Sequence, residues 1–210
     1  MQLDLSLYLV TDRNLTLNRP LLEVVEQAVK GGVTVVQLRE KDCSSKAFFE
    51  EAVKLKKLLS TYDIPLIIND RLDIALAVDA EGLHIGQHDI PYPIARKLLG
   101  KEKVIGLSVE SLKDLEVANG WDVDYIGLSP VFDTSTKTDT ATALGLEGVR
   151  ELTRISKHPS VGIGGIDRYN AASIIQAGAD GLAVVSAIMS QLNPLEAAKE
   201  LKTIIQNNQK

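Results

Sequence analysis

One cysteine, Cys43, stands in 210 residues, so a disulfide framework and a cysteine-rich metal site are both excluded and a reducing compartment is expected. Phe, Trp and Tyr together make up 4% of the chain, which leaves few ring platforms for stacking nucleic-acid bases. Basic residues do not dominate either. The 23 Lys and Arg are outnumbered by 28 Asp and Glu, and the two signs are interspersed without a basic stripe. Nucleic acid is therefore not an expected partner, although a small anion can still bind where local cations converge. Every apolar run is short, and the opening MQLDLSLYLV has no positively charged start and no cleavage site. No membrane span or signal peptide is read, and the expected location is cytoplasmic. Three chemical signatures are also missing: a GxGxxG after the first apolar run, a GxSxG elbow, and any His, Cys and Asp set with zinc-site spacing.

What the chain has is rhythm. Short apolar, β-branched runs recur as LYLVTD (7–12), VVQLRE (35–40), PLIIND (65–70), GLHIG (82–86), VIGLSV (104–109), YIGLSPV (125–131), SVGIGG (160–165) and GLAVVSAI (181–188). Between them lie stretches such as LLEVVEQAVKGG and SKAFFEEAVKLKKLL, whose apolar positions return at helical spacing. Gly31 and Gly32 are stop signals for the first, and Ser44 or Ser45 is a start signal for the second. Strands that are apolar nearly throughout, separated by helices, imply an α/β parallel sheet covered on both faces. Eight such units in this length predict a (β/α)8 TIM barrel, favoured over an open doubly wound sheet. No linker or low-complexity break interrupts the pattern, so residues 1–210 read as one domain.

Such a barrel places its chemistry at the C-terminal ends of its strands. The second run closes with QLREK, where alternation puts Gln37, Arg39 and Lys41 on one face and Leu38 and Glu40 on the other. A strand running into solvent and an anion site both remain open here. In the third run Asn69 and Asp70 read, taken alone, as caps for a helix beginning near Leu72. Asp89, just before Ile90 and Pro91, is a second plausible cap. Two carboxylates at the ends of neighbouring strands, facing cations from an adjacent one, also suit Mg2+, which favours one or two carboxylates plus phosphate oxygens. His84 reads as a packed or locally bonded residue, and His88 and His158 as loop residues. Gly164 and Gly165 suit either a tight turn or close approach to a phosphate, and Ser186 either a phosphate contact or a cap. After the sixth run, threonine occupies alternate positions over 134–142, with Lys137 among them. By itself that segment reads as a solvated insertion or an exposed edge strand.

The set QLREK, INDR, GLHIGQ with Asp89, GLS ending at Ser108, TSTKTD (134–139), VGIGGI (161–166) and VVSAI (184–188) resembles the motif series of the thiamine-phosphate synthase family, in order and along almost the whole chain. The resemblance implies a transferase that joins 4-amino-2-methyl-5-(diphosphomethyl)pyrimidine to thiazole phosphate, giving thiamine monophosphate and pyrophosphate. It implies that Gln37, Leu38, Arg39, Glu40, Lys41, Asn69, Ser108 and Lys137 hold the pyrimidine diphosphate, with Arg39, Lys41 and Lys137 acting in catalysis. Asp70 and Asp89 would bind Mg2+, and Thr134, Ser135, Thr136, Gly165, Val185 and Ser186 the thiazole phosphate. On this reading the threonine segment is a lid that excludes water. The chain departs from the family pattern at Ser129, where Gly usually precedes Pro130, and at Asp133, where Pro is usual. The alternatives on this scaffold are a thiazole tautomerase-like isomerase and a non-catalytic protein that binds thiazole or thiamine phosphates. An isomerase with no diphosphate substrate does not need the residues retained at Lys41, Asn69, Asp70, Asp89 and Lys137, and a complete set of leaving-group residues speaks against the binding protein. The expected partners are small phosphorylated molecules, and the sequence is compatible with a homo-oligomer without defining one.

Overall fold

A computed structural model describes residues 3–133 and 142–209. Eight parallel strands close into a barrel in chain order. They are β1 (Leu7–Val10), β2 (Val35–Leu38), β3 (Leu66–Asn69), β4 (Gly82–Ile85), β5 (Val104–Val109), β6 (Tyr125–Leu128), β7 (Ser160–Ile163) and β8 (Gly181–Val184). The last pair that closes the ring joins Leu7 to Leu182 and Leu9 to Val184. All eight apolar runs therefore become strands. One run is divided: 181–188 passes through β8 and then turns into a short helix at Ser186, so the strand ends at Val184 rather than after Ile188.

The helices form where the spacing predicts. In α1 (Leu21–Lys30) the buried Leu21, Val24, Val25, Ala28 and Val29 follow the i, i+3, i+4 stripe that turns one face to the sheet. The helix stops at Gly31, as expected. Helix α2 (Ser45–Ser60) starts at Ser44, whose hydroxyl accepts from the Ala47 N–H at 3.2 Å and satisfies one of the orphan donors of the first turn. Further along come α3 (Leu72–Ala77), α4 (Tyr92–Leu99), α5 (Leu112–Ala118), α6 (Gly145–Ile155), α7 (Ala171–Gln176), α8 (Ser186–Met189) and α9 (Pro194–Asn208). No helix among the described residues is long and apolar enough to cross a membrane.

Strand alternation sorts side chains into two separate apolar layers. Leu7, Leu9, Val36, Leu38, Leu66 and Ile68 face outward and join the helices in the larger layer. Tyr8, Val10, Val35, Ile67, Val104, Tyr125, Val161 and Ala183 face inward and fill the barrel. Burial on both faces is what makes each strand read as a continuous apolar run. The same inward parity carries Gln37 and Asn69 to the upper end of the interior, where both remain buried.

Candidate active site

The inward residues and the strand-end loops enclose a cavity of about 230 Å3 at the C-terminal mouth. Strand β2 delivers Gln37, Arg39 and Lys41 to it, whereas Leu38 and Glu40 do not line it. Leu38 is fully buried in the outer layer, and Glu40 accepts from the Arg13 guanidinium at 3.0 Å. The two-residue alternation read in QLREK is thus kept beyond the last ladder residue. What keeps it is Thr11: its buried hydroxyl accepts from the Arg39 N–H at 3.1 Å, while its own N–H donates to the Gln37 carbonyl at 2.9 Å.

The cap readings for Asn69, Asp70 and Asp89 are overturned. Helix α3 begins after Arg71 without a side-chain cap, and α4 begins after Pro91 in the same way. Asp70 instead takes φ +60°, a left-handed conformation that Asp tolerates better than most residues. There its carboxylate accepts from the Lys41 ammonium at 2.5 Å. Asp89 turns back on its own loop and accepts from the Gly86 N–H at 2.7 Å. Burial raises the Asp89 pKa first of all, and the adjoining Asp70 carboxylate raises it further. Two carboxylates in contact, only partly offset by one ammonium, form a pair that a divalent cation would relieve. Among the described residues no three His, Cys, Asp or Glu gather to hold an ion unaided. That donor count suits Mg2+, which takes its other oxygens from water and phosphate, and does not suit a structural zinc.

Across the mouth the lining changes character. Gly164 and Gly165 follow β7 at φ +104° and +61°. A Cβ on Gly165 would lie 2.6 Å from the Asp133 carbonyl oxygen, so only glycine lets the two loops approach this closely. Val185 and Ser186 follow β8 at the start of α8, and both line the cavity with Gly165. Asp133 itself is exposed and outside the lining. Thr134, Ser135, Thr136 and Lys137 lie outside the described residues.

Beneath the mouth runs a polar chain that the sequence reading missed. The Gln37 amide donates to the Tyr8 hydroxyl at 2.9 Å, and Tyr8 and Tyr125 hydroxyls are 2.7 Å apart. The Tyr125 hydroxyl meets His84 Nδ1 at 3.0 Å, and His84 Nε2 meets the Ser108 hydroxyl at 3.0 Å. Burial holds both phenol pKa values up, so both rings remain neutral. In the sequence both tyrosines sit inside apolar runs. The available signal was parity, since Tyr8 shares inward parity with Val10, and Gly106 in mid-strand marks a place where something approaches closely.

Fold and mouth together define a (β/α)8 barrel with a cavity at its strand ends, one half lined by charged side chains and the other by glycine turns. The chain belongs to the thiamine monophosphate synthase family, whose profile matches residues 7–188. It is 52% identical over 205 residues to a thiamine-phosphate synthase of Syntrophomonas wolfei, covering 98% of both chains. A thiamine-phosphate synthase of Persephonella marina is 48% identical over 206 residues, again with 98% of each covered. Among solved structures, a thiamine phosphate pyrophosphorylase from Pyrococcus furiosus superimposes with a TM-score of 0.90 at 37% identity, over 98% of each chain. A 3-hexulose-6-phosphate synthase at 15% identity and a TM-score of 0.71 shares the fold.

Proposed function

We propose that this chain is the transferase that joins 4-amino-2-methyl-5-(diphosphomethyl)pyrimidine to thiazole phosphate, releasing thiamine monophosphate and pyrophosphate, and that one barrel domain holds both substrates. The observation that carries the reading is the meeting of Arg39 and Lys41 with the contiguous Asp70 and Asp89 in one cavity. An isomerase without a diphosphate substrate has no use for that cluster.

Gln37, Arg39, Lys41, Asn69, Ser108 and Lys137 would hold the pyrimidine diphosphate, with Leu38 and Glu40 contributing through the main chain of their strand. Thr134, Ser135, Thr136, Gly165, Val185 and Ser186 would hold the thiazole phosphate. Asp70 and Asp89 would bind Mg2+ together with diphosphate oxygens, and the bound ion supplies charge neutralisation for the leaving group. Arg39 lines the cavity beside Lys41, where its guanidinium would meet the departing pyrophosphate as a preorganised positive charge. The methylene–oxygen bond breaks with its electron pair going to the diphosphate, and the amino group of the ring supports the cation left behind. The thiazole nitrogen then attacks. It carries no proton, so the chemistry needs no general base, and the neutral tyrosines and the engaged His84 are consistent with that.

The reading is tested by incubating the purified protein with Mg2+ and both substrates while following thiamine monophosphate and pyrophosphate together. Equal amounts of both are expected, lost with a chelator and restored by Mg2+. Absence of product with both substrates bound would sink the reading.

A further inference from the structure

The polar chain under the mouth has a direction. The Tyr8 oxygen accepts from the Gln37 amide, and its remaining neighbour in the chain is the Tyr125 hydroxyl, so Tyr8 gives its proton to Tyr125. Tyr125 then gives its own to His84 Nδ1, which must be the unprotonated nitrogen. His84 Nε2–H donates to Ser108, and the Ser108 proton is left for another acceptor. At the opposite end the Gln37 amide has its carbonyl oxygen left to accept. Gln37 and Ser108 both line the cavity.

The barrel gives up side chains to house this chain. A Cβ on Gly106 would fall 2.1 Å from Tyr125 Cζ, and one on Gly127 would press on His84 at 3.3 Å. The rings pack in a tilted row, with Tyr125 centred 5.8 Å from Tyr8 and 5.6 Å from His84.

We infer that Tyr8, Tyr125 and His84 are positioning residues that lock Gln37 as a hydrogen-bond acceptor and Ser108 as a donor toward the cavity, and so select an aminopyrimidine over its oxo counterpart. This rests on the proposed transferase reading and adds its specificity determinant. An aminopyrimidine offers a donor on its amino group and acceptors on its ring nitrogens. The 4-oxo analogue replaces that donor with a carbonyl and puts a proton on the adjoining nitrogen. Free to flip or rotate, a glutamine and a serine would accommodate either pattern, whereas a glutamine that cannot flip without breaking the chain accommodates one.

The test compares Tyr8→Phe and Tyr125→Phe with the unaltered protein. The readout is the ratio between KM for the pyrimidine diphosphate and the inhibition constant of its 4-oxo analogue. That ratio is expected to narrow by about tenfold in both variants, the size expected for losing one fixed hydrogen bond, while KM for thiazole phosphate is unchanged. Nitrogen NMR of the 15N-histidine-labelled unaltered protein, assigned with His88→Gln and His158→Gln, is expected to show neutral His84 protonated on Nε2. An unchanged ratio in either folded variant, or His84 protonated on Nδ1, overturns the inference. The NMR readout needs no turnover. Absence of product from the unaltered protein would defeat the transferase reading alone, and the histidine tautomer would still decide the direction of the chain.

Discussion

The two halves of the barrel mouth are built differently. The half built by β2, β3 and β4 uses charged side chains, with Arg39, Lys41, Asp70 and Asp89 held within one cavity. The half built by β7 and β8 uses main chain, with Gly164 and Gly165 in left-handed turns and Val185 and Ser186 opening α8. Charge acts strongly and at a distance, but crowded charge needs a counter-charge, which Lys41 supplies to Asp70. Main-chain donors need no such compensation and depend instead on close approach. The charged half should therefore respond to substitution mainly in turnover, and the glycine half mainly in affinity.

The comparison is broken most directly at Asp89. Asp89→Ala is expected to lower turnover by about 100-fold or more, on the scale of losing one electrostatic stabiliser of a transition state. Circular dichroism should show the barrel still folded, and unchanged Mg2+-dependent turnover would remove Asp89 from the proposed ion site. Next comes Arg39→Ala, for which kcat/KM toward the pyrimidine diphosphate should fall by about 100-fold while KM for thiazole phosphate holds. Equal losses toward the two substrates would dissolve the division into halves. Gly165→Ala probes the other side. Its φ of +61° and the 2.6 Å approach to the Asp133 carbonyl should cost about 1–3 kcal/mol of stability, read as a lower melting temperature, together with a rise in KM for thiazole phosphate. Ser186→Ala is the mildest, removing one exposed hydroxyl and raising that KM by about two- to tenfold with kcat preserved. A larger effect on kcat than on KM would place Ser186 in the chemical step.

Legibility differed between the halves for the same physical reason. Arg39 and Lys41 could be placed on one face from alternation alone, because a strand leaving a barrel keeps its pleat when something such as Thr11 holds it. Asp70 and Asp89 were legible as a carboxylate pair suited to Mg2+, but each also read as a helix cap when taken alone. A carboxylate before a helix looks like a cap whether or not it turns away, and only the left-handed Asp70 backbone and the return of Asp89 to Gly86 decide the matter. The glycine half was visible as spacing, although main-chain groups brought close by a glycine turn carry no residue signature of their own. Least legible was the chain from Gln37 to Ser108, since its members come from five different strands.

By itself, the sequence determined the eight strand-and-helix units, their order, the apolar faces they bury and the helix boundaries marked by Ser44 and Gly31. These depend on periodicity and local capping, which are properties of neighbouring residues. The tertiary structure alone decided which cation meets which carboxylate, Lys41 to Asp70, and that Tyr8, Tyr125 and His84 join across the interior. Those contacts arise because barrel closure brings inward side chains separated by up to 117 positions within hydrogen-bonding distance, and no local pattern encodes that approach.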